Sequence, residues 1–345
     1  MPLRPTTLLL ILGVLLAGAG ALVYSTGRKH SAREVVVYTS VDAEAALPLF
    51  DRFTKETGIT VIPRTDSEAS KTTAMAERLL QLKDNPDGDV FWNLELSYTQ
   101  VLARNGALEP YASPSAQDIP AAYKDPENRW TGFGRRARVL IYNTDLVKRD
   151  EVPRTLEGLA APRWKGKFAV AKPLFGTTRS HLVALVVQLG EEQAFKLFRA
   201  WRDNGLVLAA SNGDVRNRVV DGTCEIGLTD TDDALGAMDR NKHVDFVVPD
   251  QTEEWRGAFL IPNAVSVLKN CRHPQEARAF VDFLLRPETE KWLAENGMRQ
   301  IPVRDVGAAL PESLKKLTPA RVDWEKVAGE VLPLGRRIQE VLSGD

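Results

Sequence analysis

Ile226-Gly-Leu-Thr-Asp-Thr-Asp-Asp-Ala234 is an apolar strand that stops at a cluster of oxygen-bearing side chains and runs directly into a helix-forming segment, Ala234-Leu-Gly-Ala-Met238. Strand, polar turn, helix is the pattern of a ligand site in an open α/β sheet, where solutes bind beyond the carboxyl ends of the strands. Thr229 or Asp230 is placed to cap the helix, which leaves the other hydroxyls and carboxylates to face a ligand. A well-capped helix start with a solvated acidic face accounts for the same residues. The stretch therefore has to be weighed with the rest of the chain.

Upstream, Glu34-Val-Val-Val-Tyr38 is a β-branched run suited to a strand buried on both faces. Helical spacing over Ala43 to Thr57, a strand Ile59 to Ile62, a helix Lys71 to Lys83, a strand Asp89 to Trp92 and a helix Leu96 to Asn105 follow in turn. Gly132 to Tyr142, charged at its start and apolar at its end, reads as a connector that leaves one lobe and enters another. A second alternating set follows: strand Lys167 to Ala171, helices His181 to Leu189 and Glu191 to Asn204, strand Gly205 to Ala209, helix Asp214 to Asp221, the opening stretch, and strand Val244 to Val248. Arg256 to Pro262 and Asn263 to Leu268 read as extended segments returning to the first lobe, with helices from Pro274, Pro287 and Trp324 closing the chain. Such alternation predicts an α/β fold of mainly parallel sheets flanked by helices. Extended crossovers predict two lobes around a hinge: residues 34–135 with about 256–303, and residues 136–255 with about 304–345.

The chain has 345 residues, 43% of them hydrophobic and 26% charged, with a formal net charge of -1. That length suits two ordinary cores, and the balanced charge gives no reason to expect a nucleic-acid partner. Residues 1–33 stand apart. Arg4 precedes an apolar run from Leu8 to Tyr24 that ends among small residues, the outline of an export signal, with an uncleaved membrane anchor as the competing view. Cys224 and Cys271 are compatible with one disulfide in an oxidising compartment, and their separation of 47 positions excludes a Cys-x-x-Cys motif.

Polar groups follow five predicted strands: Thr39, Ser40 and Asp42; Asn93 and Glu95; Gly176, Thr177 and Thr178; Ser211 and Asn212; and Thr229, Asp230, Thr231 and Asp232. Gly176-Thr-Thr178 precedes a helix, where free backbone N–H groups and small hydroxyls suit an oxyanion. Asp42, Glu95, Asp230 and Asp232 suit a metal cation or an ammonium group. Each has a plainer reading: Thr177 and Ser211 as helix caps, Glu95 as an acid favouring a helix N-terminus, and Trp92 as a strand-end core residue. Convergence of five polar strand ends argues more than any one of them.

Catalysis finds little support. His30, His181, His243 and His273 show no metal-ligand spacing, and the chain has no Gly-x-Ser-x-Gly elbow, Walker loop or Gly-x-Gly-x-x-Gly fingerprint. Asp230-Thr-Asp-Asp233 lacks the glycine and distal glutamate of a calcium loop. His181, beside Ser180 and Thr178, is a poor candidate base because it falls in a helix start.

Several segments together resemble the solute-binding components of ABC importers, in the type II periplasmic binding protein fold, and within them the branch containing ferric-iron-binding proteins. They are Val37-Tyr-Thr-Ser40, the pattern Phe50-x-x-Phe53-x-x-x-Thr57-Gly58-Ile59, Asp89-Val-Phe-Trp92, Pro162-Arg-Trp-Lys-Gly166, Phe175-Gly-Thr-Thr178 and Pro262-Asn-Ala264. The resemblance implies a monomer that needs no cofactor, catches a small molecule or ion in an extracytoplasmic space and delivers it to a membrane permease. Ferric-binding members of that branch supply a His or Tyr after the first strand, a Glu after the third and two adjacent tyrosines at the segment matching Thr229 to Ala234. Here the first position falls near Val41 and Asp42, the tyrosine pair near Thr231 and Asp232, and Glu95 lies within one residue of the expected Glu. Phenolate ligands are thus missing, while Thr177, Thr178, Ser211 and Asn212 match positions where such carriers hold a companion anion. The expected cargo is a small phosphate-, phosphonate- or carboxylate-bearing solute, with an amino group allowed. Alternatives are iron(III) or another metal ion held by Asp42, Glu95, Asp230 and Asp232, or an exported metal-dependent hydrolase.

Overall fold

The computed structural model describes residues 33–65, 71–174, 176–240, 243–251, 256–296 and 298–344. The expected export signal, Leu8 to Tyr24, and Phe175 of the Phe-Gly-Thr-Thr segment lie outside them. Among the described residues no helix is long and apolar enough to cross a membrane.

Among the described residues ten strands form one continuous sheet, in the order β2 (Thr60–Arg64), β1 (Glu34–Thr39), β3 (Val90–Asn93), β10 (Leu260–Leu268), β5 (Thr131–Asn143), β8 (Ile226–Asp230), β6 (Phe168–Ala171) and β7 (Val207–Ala209), while β4 (Leu108–Glu109) adds to β10 and β9 (Val244–Val247) to β5. In the first half, β1 (Glu34–Thr39) lies between β2 (Thr60–Arg64) and β3 (Val90–Asn93), all parallel. In the second, β6 (Phe168–Ala171) lies between β7 (Val207–Ala209) and β8 (Ile226–Asp230), again parallel. Runs such as Val-Val-Val and Phe-Ala-Val-Ala read as continuous apolar strands because both faces of each half are covered by helices.

Two long strands join the halves. β5 (Thr131–Asn143) pairs antiparallel with β10 (Leu260–Leu268) over Thr131 to Ala137, then with β8 from Arg138 and with β9 (Val244–Val247) from Leu140. The two extended segments expected between Arg256 and Leu268 are thus one strand beginning at Leu260, whose pairing shifts register between Pro262 and Asn263. Pro262 has no N–H to give to the ladder, a physical reason for the irregularity at that point.

Helices α1 (Ala43–Thr57), α2 (Lys71–Gln81) and α3 (Leu96–Arg104) belong to the first half. The second half carries α4 (Gly176–Leu189), α5 (Glu191–Asp203), α6 (Asn212–Val220) and α7 (Thr231–Arg240). After β10 come α8 (Pro274–Leu284), α9 (Pro287–Glu295), the short α10 (Glu312–Lys315) and α11 (Trp324–Ser343). One apolar core gathers Phe50, Phe53, Trp92 and Phe280, and another gathers Phe168, Phe198, Trp201 and Ile338. Trp92 is fully buried beside Phe50 and Phe133, so it is a core residue and no stacking platform. The final helix touches both halves: Val327, Leu334 and Ile338 enter the second core, while Ala328 and Val331 pack with Tyr98 and Val101 of α3. Cys224 and Cys271 are free thiols in different clusters, so the disulfide allowed by sequence is not formed.

Three helix starts come earlier than periodicity indicates: α4 begins at Gly176, ahead of His181, α6 at Asn212, ahead of Asp214, and α7 at Thr231, ahead of Ala234. Gly176 has φ of +55°, a left-handed conformation that glycine adopts without strain, with open space where a Cβ would stand. Thr231, Asp232 and Asp233 form the first turn of α7. Carboxylates are favoured at that end by the helix dipole, although the sequence shows them as a free turn.

Candidate functional site

A cavity of about 190 Å³ opens between the two halves of the sheet. Ser40, Asp42, Leu94 and Glu95 come from the first half; Arg136, Lys172, Gly176 to Thr178, Ser211 to Gly213, Asp230, Asp232 and Asp233 come from the second. Every group sits at the carboxyl end of a strand, at the first turn of a helix or on the crossover β5. One close approach sharpens the second wall. A Cβ on Gly227 would stand 2.4 Å from Val215, so glycine there lets α6 lie directly on β8 and brings Asn212 over Asp230.

Asp230 ends β8 and is 1% exposed. Its oxygens accept from Arg138 Nη1 at 2.7 Å, Arg136 Nη1 at 3.2 Å, Thr177 Oγ1 at 2.7 Å and Asn212 Nδ2 at 3.1 Å. Four donors match the capacity of a carboxylate. Burial alone would push its pKa up, but the two guanidiniums and Thr177 outweigh burial and hold it below the usual carboxylate range. Thr178 Oγ1 donates to Asn212 Oδ1 at 3.0 Å, which closes the network.

Asp232 accepts from the same Arg136 Nη1 at 3.1 Å. Burial and the charge of Asp230 raise its pKa against the pull of Arg136. Asp233 accepts from Thr229 Oγ1 at 3.0 Å and from Arg216 at 3.4 Å, and burial, with Asp232 and Asp230 nearby, pushes it up to about 7. Burial opposes the charge on Arg136, yet Asp232 and Asp230 keep that guanidinium firmly protonated.

On the opposite wall Glu95 caps α3. It accepts from Ser97 N at 2.7 Å, Ser97 Oγ at 2.8 Å and Tyr98 N at 3.3 Å. Burial raises its pKa, and only N–H and hydroxyl donors pull it back. Ser97 Oγ also meets Ser180 Oγ of α4 at 3.1 Å, and Tyr98 Oη accepts from Arg179 at 2.8 Å, so the two halves touch directly beside the cavity.

Ten of the fourteen residues expected from the strand ends line the cavity; Thr39, Asn93, Thr229 and Thr231 do not. Thr39 accepts from Val41 N, Asn93 accepts from Ser40 Oγ, Thr229 donates to Asp233 and Thr231 accepts from Ala137 N. These four hold the backbone that carries the others. Ser211 lines the cavity and also caps α6 through Asp214 N at 3.1 Å. For a metal, ligand atoms of Asp230, Asp232 and Asp233 lie within 4.8 Å of one another, so Asp233 joins the group whereas Asp42 and Glu95 do not. His181 is 2% exposed against Phe259, with a ring separation of 4.5 Å, and burial with Arg138 drives its pKa well down, which makes it a neutral core residue.

The family model of bacterial extracellular solute-binding proteins matches residues 89–329. The chain belongs to that family. As a solute-binding protein of the ABC-importer type it is a transport component, and the hydrolase alternative falls away. The "Iron uptake protein A1" of Synechocystis sp. is 28% identical over 322 residues, covering 86% of this chain and 87% of the relative. The apo ferric ion-binding protein A of Pasteurella haemolytica has the same fold, with a TM-score of 0.80, 20% identity, and 91% and 99% of the two chains covered. So does the periplasmic binding protein AfuA of Actinobacillus pleuropneumoniae with fructose-6-phosphate bound, with a TM-score of 0.79, 21% identity and the same coverage. These neighbours are two-lobed periplasmic binding proteins.

Sequence reasoning missed the basic residues of this solute-binding protein's site: Arg136 and Lys172 in the cleft wall, and the buried Arg138 that pairs with Asp230. A signal was present for the arginines. Arg136 and Arg138 are two apart on a strand and so share one face. What they face lies more than ninety positions away in sequence, at Asp230.

Proposed function

We propose that this solute-binding protein captures a small organic anion bearing a phosphate, phosphonate or carboxylate, with hydroxyl or amino groups elsewhere on the molecule, and presents it to a membrane permease. The observation that carries this reading is the convergence of the first turns of α4, α6 and α7 on one cavity where Asp230 is already saturated by donors. The first N–H groups of a helix have no partner within it, and the dipole favours negative charge there. The wall around Gly176 to Thr178 and Asn212 to Gly213 therefore supplies donors to an anionic head, with Lys172 beside it. Asp232, Asp42 and Glu95 stand where hydroxyl or ammonium groups of the same molecule would be accepted. A volume of about 190 Å³, against roughly 30 Å³ for one water in the liquid, suits an organic molecule better than a bare ion. Fructose-6-phosphate in the similarly folded AfuA supports the class without naming the compound.

Closure is the mechanism that fits the architecture. Residues 34–135 with about 256–303 form one lobe, residues 136–255 with about 304–345 the other, and β5 and β10 cross between them. A solute touching both walls binds the closed form better, and that difference in affinity drives closure. Residues 1–33 act as the export signal or tether, and the working form is a monomer. A second reading, a metal ion as cargo, is favoured by the grouping of Asp230, Asp232 and Asp233 and by the names of the iron-carrying relatives.

Thermal shift of the mature protein against organophosphates, aminophosphonates, inorganic phosphate, amino acids, polyamines and iron tests the reading. A true cargo at a hundred times its Kd stabilises by about 2.7 kcal/mol. Asp232→Ala should lose most of that stabilisation; a variant that responds like the parent would show the site to be misassigned.

A further inference from the structure

Arg136 holds an unusual position. Its Nη1 stands between two carboxylates, 3.2 Å from Asp230 Oδ2 and 3.1 Å from Asp232 Oδ2, while Nη2 reaches the opposite wall and donates to the Leu94 carbonyl at 2.8 Å. The side chain is 8% exposed, and its Nε is buried with no hydrogen-bond partner. Buried N–H groups are rarely left unbonded, and Arg138 Nε on the same strand is unbonded too, so both guanidiniums are placed by the carboxylates they meet through Nη1. Arg138 lies behind it on the same strand face and takes the other oxygen of Asp230. Oxygens about 2.4 Å from a calcium-sized ion stand at most about 4.8 Å apart, the separation within which ligand atoms of Asp230, Asp232 and Asp233 are gathered.

We propose that Arg136 determines which cargo the cleft accepts: its guanidinium takes the place a metal ion would occupy among Asp230, Asp232 and Asp233, closing the cavity to free cations and leaving it to anion-bearing molecules. This deepens the organic-anion reading and rests on it. With all three acids ionised the local charges balance, Arg136, Arg138 and Arg216 facing Asp230, Asp232 and Asp233. An incoming cation must therefore displace a resident one that is anchored on both walls. Removing Arg136 alone vacates the position and leaves the group one unit negative.

The test uses manganese(II), a hard ion suited to carboxylate oxygens, with the free ion followed by electron paramagnetic resonance. Five mature proteins are compared: wild type, Asp232→Asn, Arg136→Met, Arg136→Gln and the double variant Arg136→Met/Asp232→Asn. The wild type should leave manganese free. Both single variants should bind it at least about tenfold more tightly, as expected when a buried carboxylate pair loses its counter-charge, and the double variant should lose that gain. Wild-type binding that depends on Asp232 would overturn the organic-anion reading itself. A folded single variant that leaves manganese as free as the wild type does would overturn the assignment of Arg136 while sparing that reading. If neither single variant melts cooperatively alone, added manganese should restore a cooperative melt, and failure to restore it would equally overturn the assignment.

Discussion

Glu95 and Asp230 look alike in sequence and differ in the folded protein. Both follow apolar strands, both are 1% exposed, and both border the same cavity from opposite walls. Asp230 meets two guanidiniums and its pKa falls; Glu95 meets Ser97, Tyr98 N–H and Ser180, with no cation among them, and its pKa rises. Burial acts on both in the same direction, so the partners decide the charge. One wall of the cleft is consequently a fixed ionic lattice and the other a capped helix start whose carboxyl resists ionisation.

The largest effect should come from removing the lattice's fully buried cation. Arg138→Met leaves Asp230 short of one of its two closest donors, and breaking a buried pair from one side costs about 3–5 kcal/mol; urea denaturation of the mature protein measures it. A loss no greater than that of a surface substitution would erase the contrast between the walls. Next comes the pair Asp230→Asn and Glu95→Gln. The first leaves two buried guanidiniums facing a neutral amide, while the second keeps an acceptor for Ser97 N, and the cost of weakening a helix cap is about 1 kcal/mol. Asp230→Asn should be the more damaging, and the reverse order in the same denaturation assay would erase the difference between the two walls.

The last contrast is a pH dependence. Asp233 has its pKa raised from 3.8 to about 7, so its contribution to stability is fully present below 3.8 and is lost as pH rises through about 7. Asp232 and Glu95 shift in the same direction, whereas Asp230 shifts down and loses its contribution only under more acidic conditions. Melting temperature of the ligand-free protein should therefore fall as pH rises across that window. Asp233→Asn should flatten the slope, and an unchanged slope would show that Asp233 is not the group responsible.

Much of the fold was legible because its signals are local. Glu34-Val-Val-Val-Tyr38 is buried on both faces whatever its neighbours are, and Gly132 to Tyr142 shows by its change of character that it passes between environments. Gly176-Thr-Thr178 and Thr231-Asp-Asp233 were legible as polar groups and illegible as helix, because glycine, threonine and aspartate are weak helix formers whose place here is the first turn. The candidate site was legible in its carboxylates and in the hydroxyls and amide of Thr177, Thr178 and Asn212, but not in its cations. Asp230 and Asp232 stand out after an apolar strand, but their partners arrive from another strand by long-range pairing that periodicity does not report. Thus a cluster that reads as open carboxylates is one already neutralised.

Isothermal titration of the mature protein with a sugar phosphate, the same sugar without phosphate, and inorganic phosphate measures whether one molecule engages both walls of the cleft. If the helix starts hold the anion while Asp232 and its neighbours hold the rest, the intact ester should bind at least about tenfold more tightly than either part, since one molecule then engages both walls. Tight binding of ferric ion, with no heat from the sugar phosphate, the sugar or inorganic phosphate, would contradict organic-anion capture.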